Sequence, residues 1–258
     1  MTTDTITMTR EGDAVTIALN RPEVMNALSS QMRRELLAAI RQAAQDARCI
    51  VLTGTGRAFC SGQDLQDAMA LGQTDLGRIL AEEYEPLLQA IYDCPVPTIA
   101  AVNGAAAGAG ANLALACDVV IAAESASFIQ AFTRIGLIPD AGGTYWLPRQ
   151  IGMARAMGAA LFAEKITAAQ AVEWGMIWEA VPDAGFAAHV AGRAAQLATG
   201  PTAAYRLVKQ ALRASPENGL GAQLALEARL QSEAGATSDF REGVAAFLEK
   251  RPARFSGA

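Results

Sequence analysis

Two glycine-rich stretches and one carboxylate hold the residues of this sequence most suited to chemistry. In Val102-Asn103-Gly104-Ala105-Ala106-Ala107-Gly108-Ala109-Gly110-Ala111-Asn112, no side chain from Gly104 to Ala111 is larger than a methyl group. Another molecule can therefore touch the backbone itself. The run follows an expected strand, Thr98 to Val102, and leads into a helix expected to start near Ala109 or Gly110, whose first N–H groups are unpaired and carry partial positive charge. The alternative use of such residues is close packing of two backbones. The second stretch, Gly54-Thr55-Gly56-Arg57-Ala58-Phe59-Cys60-Ser61-Gly62-Gln63-Asp64-Leu65, is too glycine-rich to read as regular structure. Both stretches fall after a strand and before a helix, where open α/β folds place ligands. Together they suggest two backbone donors, the N–H groups of Gln63 and Ala109, converging on one oxygen as an oxyanion hole.

Asp140 lies between Pro139 and Ala141-Gly142-Gly143 in an apolar neighbourhood. A poorly solvated carboxylate there would have a raised pKa and act as a base; equally, an aspartate before Gly142 to Tyr145 can cap a helix. Other chemistries find no support. His189, the single histidine, sits in an alanine-rich helical stretch and reads as a surface or packing residue. Cys60 has no evident base partner. The glycine loops lack the third glycine of a dinucleotide fingerprint and the lysine of a phosphate loop.

The elements that must hold these groups follow from hydrophobic periodicity. Ile6 to Arg10 and Ala14 to Leu19 read as a hairpin around Glu11-Gly12-Asp13. Ser29 or Ser30 can cap a helix with Met32, Leu36, Leu37, Ile40 and Ala44 on one face, ending near Arg48. Cys49 to Thr53 and Val119 to Ala122 read as strands. A helical pattern spans Asp75 to Tyr92, where Pro86 should kink it or mark a new start. From Met153 onward the chain reads as mostly helical: Ala154 to Phe162, Ala168 to Trp174, Ala184 to Leu197, Thr202 to Ala214, Gly221 to Ala234 and Ser238 to Lys250. Trp174 and Trp178 are expected to pack. A soft boundary is placed near Gly200, giving a core over 1–200 and a helical region over 201–258, whose apolar faces need the core or a neighbouring subunit to cover them.

Composition sets the outer bounds. The chain has 258 residues, 52% hydrophobic and 18% charged, which fits an α/β protein with a large core and argues against disorder. A net charge of -5 disfavours nucleic acid as the principal ligand. The apolar run from Val96 to Ala123 is interrupted by Asn103, Asn112 and Asp118, so a membrane span is not expected. Cys49, Cys60, Cys94 and Cys117 show no metal-ligand spacing, and no secretory signal is evident. The expected setting is reducing and cytoplasmic.

Several segments resemble the crotonase, or enoyl-CoA hydratase/isomerase, superfamily: Asn20-Arg21-Pro22, Ala58 to Leu65, Ala101-Val102-Asn103-Gly104, Ala116-Cys117-Asp118, Ile138 to Gly143 and Arg241 to Arg251. They occur in the family's order along essentially the whole chain. The resemblance implies a spiral of ββα units, a C-terminal helical trimerisation region, acyl-CoA thioester substrates, and a homotrimer or hexamer. It assigns the oxyanion donors to Gln63 and Ala109, the latter commonly glycine in the family. It also implies contacts to coenzyme A from Glu23, Val24 and Ala27, from Gln63, Asp64 and Leu65, and from Phe247 and Lys250 across a subunit interface. Coenzyme A would be part of the substrate; no metal or other cofactor is implied.

Two departures refine the expectation. Hydratases of this family carry glutamates at the positions held here by Asn112 and Phe132, neither of which can move the protons that adding water requires. Asp140 instead matches the catalytic aspartate of several isomerase and dehalogenase members. The stretches Ile135 to Gly158 and Glu173 to Trp178, with the C-terminal segment, resemble the family's 1,2-epoxyphenylacetyl-CoA isomerase branch in phenylacetate degradation. An acyl-CoA isomerase is the expectation, acting on that ring epoxide to give an oxepin, on 3-enoyl-CoA to give 2-enoyl-CoA, or on both. Alternatives are a dienoyl-CoA isomerase, an enoyl-CoA hydratase or a non-catalytic acyl-CoA binder. The acyl pocket is expected around Met69, Leu71, Phe132, Leu137 and Trp146.

Overall fold

The computed structural model describes residues 5–70 and 75–258. Its strands are β1 (Ile6–Glu11), β2 (Ala14–Leu19), β3 (Cys49–Gly54), β4 (Ala58–Cys60), β5 (Thr98–Val102), β6 (Ala105–Ala107), β7 (Val119–Ala123), β8 (Ser127–Ile129), β9 (Ile166–Thr167) and β10 (Glu179–Val181). They form a six-stranded sheet ordered β1-β2-β3-β5-β7-β10 and a four-stranded sheet ordered β4-β6-β8-β9. The hairpin β1–β2 is antiparallel and the rest of the large sheet is parallel. Each of β3, β5 and β7 is followed by a short strand that steps into the second sheet, and then by helix. This is the expected ββα spiral.

The sequence reading missed the second strand of each unit. Gly54 to Leu65 is not wholly irregular: it contains β4, and the small-residue run contains β6. The stretch after Met153 likewise contains β9 and β10. These strands have two or three residues, too few to show alternation, and exist through pairing with distant partners. Along β3, residues point alternately to two cores, as the pleat requires. Ile50 and Leu52 join the main core, while Cys49 and Val51 face a smaller cluster with Val190, Ala194 and Ala198.

Helix α1 (Ser30–Asp46) starts where the Ser29 hydroxyl accepts the Met32 N–H at 3.2 Å, and it buries Met32, Leu36, Ala39, Ile40 and Ala43 at helical spacing. A short helix, α2 (Leu65–Ala70), follows the first glycine loop. The pattern around Pro86 resolves into α3 (Leu76–Ile79), a π-helical turn (Leu80–Tyr84) and α4 (Glu85–Tyr92), with the proline in the first turn of α4. Proline has no N–H to give an α-helical ladder, and the change of helix type accommodates it. Helix α5 (Ala109–Leu115) is buried along its whole length. Helix α6 (Gly143–Phe162) begins well before the expected Ala154 and is broken at Gly152, where φ is 74°.

The remaining helices are α7 (Ala168–Glu173), α8 (Phe186–Ala198), α9 (Thr202–Ala214), α10 (Leu220–Gly235) and α11 (Ser238–Leu248). Helix α8 covers the outer face of the large sheet. Helix α9 is fastened to the core by Asp118, which receives Lys209 at 2.7 Å and Arg213 at 2.6 Å. Trp178 does not pack as expected but is 67% exposed, whereas Trp174 packs on the core. All four cysteines are buried free thiols. Among the described residues, no helix is long and apolar enough to cross a membrane.

Candidate active site

The two glycine loops meet because β4 and β6 are parallel neighbours, so their chains leave the sheet at the same end. Gly62, with φ of 95°, lies so close to the second loop that a Cβ there would stand 2.8 Å from the Ala107 carbonyl oxygen and 3.4 Å from the Ala109 nitrogen. On Gly110 a Cβ would strike the Cys60 carbonyl and sulfur. The small side chains thus serve loop-to-loop contact and leave main chain exposed to the same cavity. The close-packing reading of these glycines holds, and the same loops line a cavity.

Gln63 forms an isolated parallel bridge with Leu28. The bonds of that bridge run from Leu28 N–H to the Gly62 oxygen at 2.8 Å and from Asp64 N–H to the Leu28 oxygen at 3.2 Å. Such a bridge uses the groups on either side of Gln63, so the N–H of Gln63 faces away from Leu28. Ala109 is the first residue of α5, and its N–H belongs to the unpaired donors of a helix start. Both residues line a cavity of about 300 Å³, together with Leu65, Tyr84, Phe132, Leu137 and Asp140.

Among the described residues, Asp140 is the one carboxylate in that cavity's wall. Its side chain does not cap α6; Gly142, at φ of 81°, occupies the cap position, and the Asp140 carbonyl accepts the Gly143 N–H at 2.8 Å. Asn112 Nδ2 donates to the same carbonyl at 2.7 Å, and Asn112 Oδ1 accepts Gln130 Nε2 at 2.9 Å. Asn112 is fully buried and acts as a bracket for the Asp140 backbone. Among the described residues the carboxyl group has no ion-pair partner, and burial pushes its pKa up to about 6.

The neighbouring groups divide into wall and frame. Phe132 is buried beside Gly108 and lines the cavity. Trp146 does not reach this cavity; it lines an adjoining one of about 700 Å³ that shares Leu80, Tyr84 and Asp140 with the first. Met69 is 82% exposed and lines neither cavity, and Leu71 lies outside the described residues. Burial pushes the Cys60 thiol up to about 12, which leaves it protonated and inert. His189, as a packing residue, bonds Glu179 at 2.8 Å.

Glu23 and Val24 occupy a 3₁₀ turn, Pro22–Val24, in a loop fastened to the first glycine loop rather than in the cavity wall. Asn26 Nδ2 donates to the carbonyls of Thr55, Ala58 and Phe59, and the Ser61 N–H donates to the Met25 oxygen at 3.0 Å. Arg21 Nη1 ties the buried Ala27, through its carbonyl at 2.8 Å, to the Asp64 carboxylate at 2.7 Å. Burial opposes ionisation of Asp64, but the Asp67 amide and Arg21 outweigh it and hold its pKa below the usual value. Phe247 is 82% exposed, and neither it nor Lys250 reaches the cavity within one chain.

Sequence reasoning passed over Arg33 and Tyr84. Both send hydrogen bonds to Gln63 Oε1, Arg33 Nη1 at 2.9 Å and the Tyr84 hydroxyl at 2.5 Å. One signal was available: Arg33 falls at the helical spacing of Leu36, Leu37 and Ile40, a charge on an otherwise apolar face.

Comparison with known proteins finds similarity along nearly the whole chain. The family described as enoyl-CoA hydratase/isomerase matches residues 9–258. A probable enoyl-CoA hydratase of Rhodobacter capsulatus is 69% identical over 247 residues, covering 96% of this chain and 95% of that protein. The 1,2-epoxyphenylacetyl-CoA isomerase of Escherichia coli is 48% identical over 252 residues, covering 96% of each. The crystal structure of enoyl-CoA hydratase from Bacillus anthracis, 33% identical, matches with a TM-score of 0.94 over 99% of this chain and 100% of that one. With the ββα spiral and two facing glycine loops, these similarities make the chain a member of the enoyl-CoA hydratase/isomerase family, an enzyme of the crotonase superfamily.

Proposed function

We propose that this enzyme is an acyl-CoA isomerase in which the Gln63 and Ala109 amides hold the thioester oxygen and Asp140 moves the proton. The observation that carries this reading is Asp140, the one carboxylate among the described residues of the cavity wall, desolvated and lining the same cavity as Gln63 and Ala109. With a 3-enoyl-CoA, Asp140 takes a proton from C2, and the electron pair delocalises through C3–C4 and the carbonyl as a dienolate. The proton is returned at C4, and the double bond moves into conjugation with the thioester. Atoms balance without water, redox partner or metal. Each amide aimed at the developing oxyanion is worth about 2.7–4 kcal/mol of barrier.

The name of the Escherichia coli relative supports 1,2-epoxyphenylacetyl-CoA as a further substrate, again an isomerisation without added atoms. The name of the Rhodobacter relative favours hydration instead. Against that stands the site: Asn112 is engaged as a bracket and Phe132 is a hydrocarbon, so among the described residues neither position places a second carboxyl in the wall of this cavity to activate water. We further propose that the C-terminal helices join copies into a homotrimer or a pair of trimers. Their exposed Leu220, Leu224, Phe240 and Val244 would then be covered, and Phe247 and Lys250 could reach a neighbour's coenzyme A.

Incubation with a 3-enoyl-CoA, followed by conjugated-thioester absorbance and product mass, tests the reaction. Conjugation at unchanged mass is expected. A product heavier by one water would make the enzyme a hydratase and overturn the proposal.

A further inference from the structure

Beneath the oxyanion loop lies a buried cation that the proton transfer does not use. Arg33 is fully buried, and each guanidinium nitrogen has a partner. Nε and Nη2 meet Glu83 Oε2 at 2.9 and 2.7 Å, and Nη2 also reaches Ser30 Oγ at 3.2 Å. Nη1 donates to the Leu28 carbonyl at 2.7 Å and to Gln63 Oε1 at 2.9 Å. Leu28 and Gln63 are the two members of the isolated bridge that turns the Gln63 N–H away from Leu28, and Gln63 lines the cavity. One guanidinium nitrogen therefore grips both sides of that bridge, in the rigid fork geometry that lysine lacks.

A second grip comes from Tyr84, whose hydroxyl donates to the same Gln63 Oε1 at 2.5 Å and whose ring lies 4.8 Å from the Arg33 guanidinium carbon. Glu83 and Tyr84 are adjacent in the π-helical turn, and while Glu83 meets Arg33, Tyr84 meets both Arg33 and Gln63. Tyr84 also lines both cavities beside Asp140. We propose that Arg33 and Tyr84 are positioning residues that aim the Gln63 amide by locking its side chain. The backbone donates to substrate, and the glutamine side chain is the handle by which the fold holds that backbone. This rests on Gln63 being an oxyanion donor, as in the proposed function.

Gln63→Leu and Tyr84→Phe test the latch, since both keep every backbone N–H and remove only the handle or one of its donors. The readout is the infrared carbonyl band of ¹³C-labelled butyryl-CoA, a saturated thioester that binds without isomerising, measured with kcat and KM on a 3-enoyl-CoA. In the wild type the band should fall below its free value. In each variant it should move part of the way back, with kcat about tenfold lower, less than the ~10²–10³ for outright removal of a donor, and KM within about twofold. The double variant should be no worse than the more affected single one, because both changes release one handle. If Tyr84→Phe does not fold, Gln63→Leu alone decides. A shifted wild-type band that both variants retain, with unchanged kcat, would overturn the latch and leave the isomerase reading intact. An unshifted wild-type band would remove the oxyanion hole, and the proposed function with it.

Discussion

Replacing Asp140 with Asn should make the protein more stable and nearly inactive at neutral pH. The bonds that hold residue 140 come from its backbone: Gly143 N–H at 2.8 Å and Asn112 Nδ2 at 2.7 Å, both to the carbonyl oxygen. An amide of the same shape leaves them in place. What changes is the carboxyl group, whose pKa burial raises from 3.8 to about 6. The native state therefore holds this proton more tightly than the unfolded chain, so the contribution to stability is greatest below pH 4, falls as pH rises toward 6, and stays low above it. The gap amounts to about 3 kcal/mol, and residual solvent contact lowers the realised penalty to about 1–2 kcal/mol. Asp140→Asn should recover about 1 kcal/mol of it at pH 7 and nothing at pH 4. Activity moves the other way. A carboxyl titrating at about 6 is roughly nine-tenths ionised at pH 7 and one-tenth at pH 5, so kcat/KM in the wild type should fall on an acid limb centred near that value. Loss of the base should lower kcat by about 10²–10⁴. Thermal or denaturant unfolding at the two pH values, with turnover of a 3-enoyl-CoA from pH 5 to 8, checks both signs. Wild-type turnover in the variant, or an acid limb that persists in it, refutes Asp140 as the base.

Gly62→Ala should lose activity and about 1–3 kcal/mol of stability. Its φ of 95° and the Ala107 oxygen 2.8 Å from a new Cβ force the loop to move, and a urea titration with steady-state kinetics measures both losses. Asn112→Glu combined with Phe132→Glu should not produce a hydratase, because the first change removes the amide that donates to the Asp140 carbonyl; mass analysis of products from a 2-enoyl-CoA decides it. Phe247→Ala and Lys250→Ala should each raise KM for acyl-CoA several-fold with kcat little changed, as expected of contacts uniform between ground and transition states. Unchanged KM would remove both from the coenzyme A site.

Strands β1, β2, β3, β5 and β7, most of the helices, the two loops of small residues, and the carboxylate at Asp140 in its apolar neighbourhood were legible in the sequence. They depend on local information: apolar periodicity, the absence of side chains from Gly104 to Ala111, and the types of a few neighbours. The resemblance to the family added an expectation against hydration, because asparagine and phenylalanine stand at positions 112 and 132, where the family's hydratases carry glutamates. Tertiary structure decided the rest. Strands β4, β6 and β9 are too short to have a period, and only their pairing across the chain makes them strands. Whether the Asp140 side chain capped a helix or was left to line the cavity depended on how the chain turned at Gly142 and on a bond from Asn112, 28 positions away. The grip of Arg33 and Tyr84 on Gln63 spans 30 and 21 positions. A pKa and a donor's direction are properties of surroundings, and those surroundings come from parts of the chain that meet only when it folds.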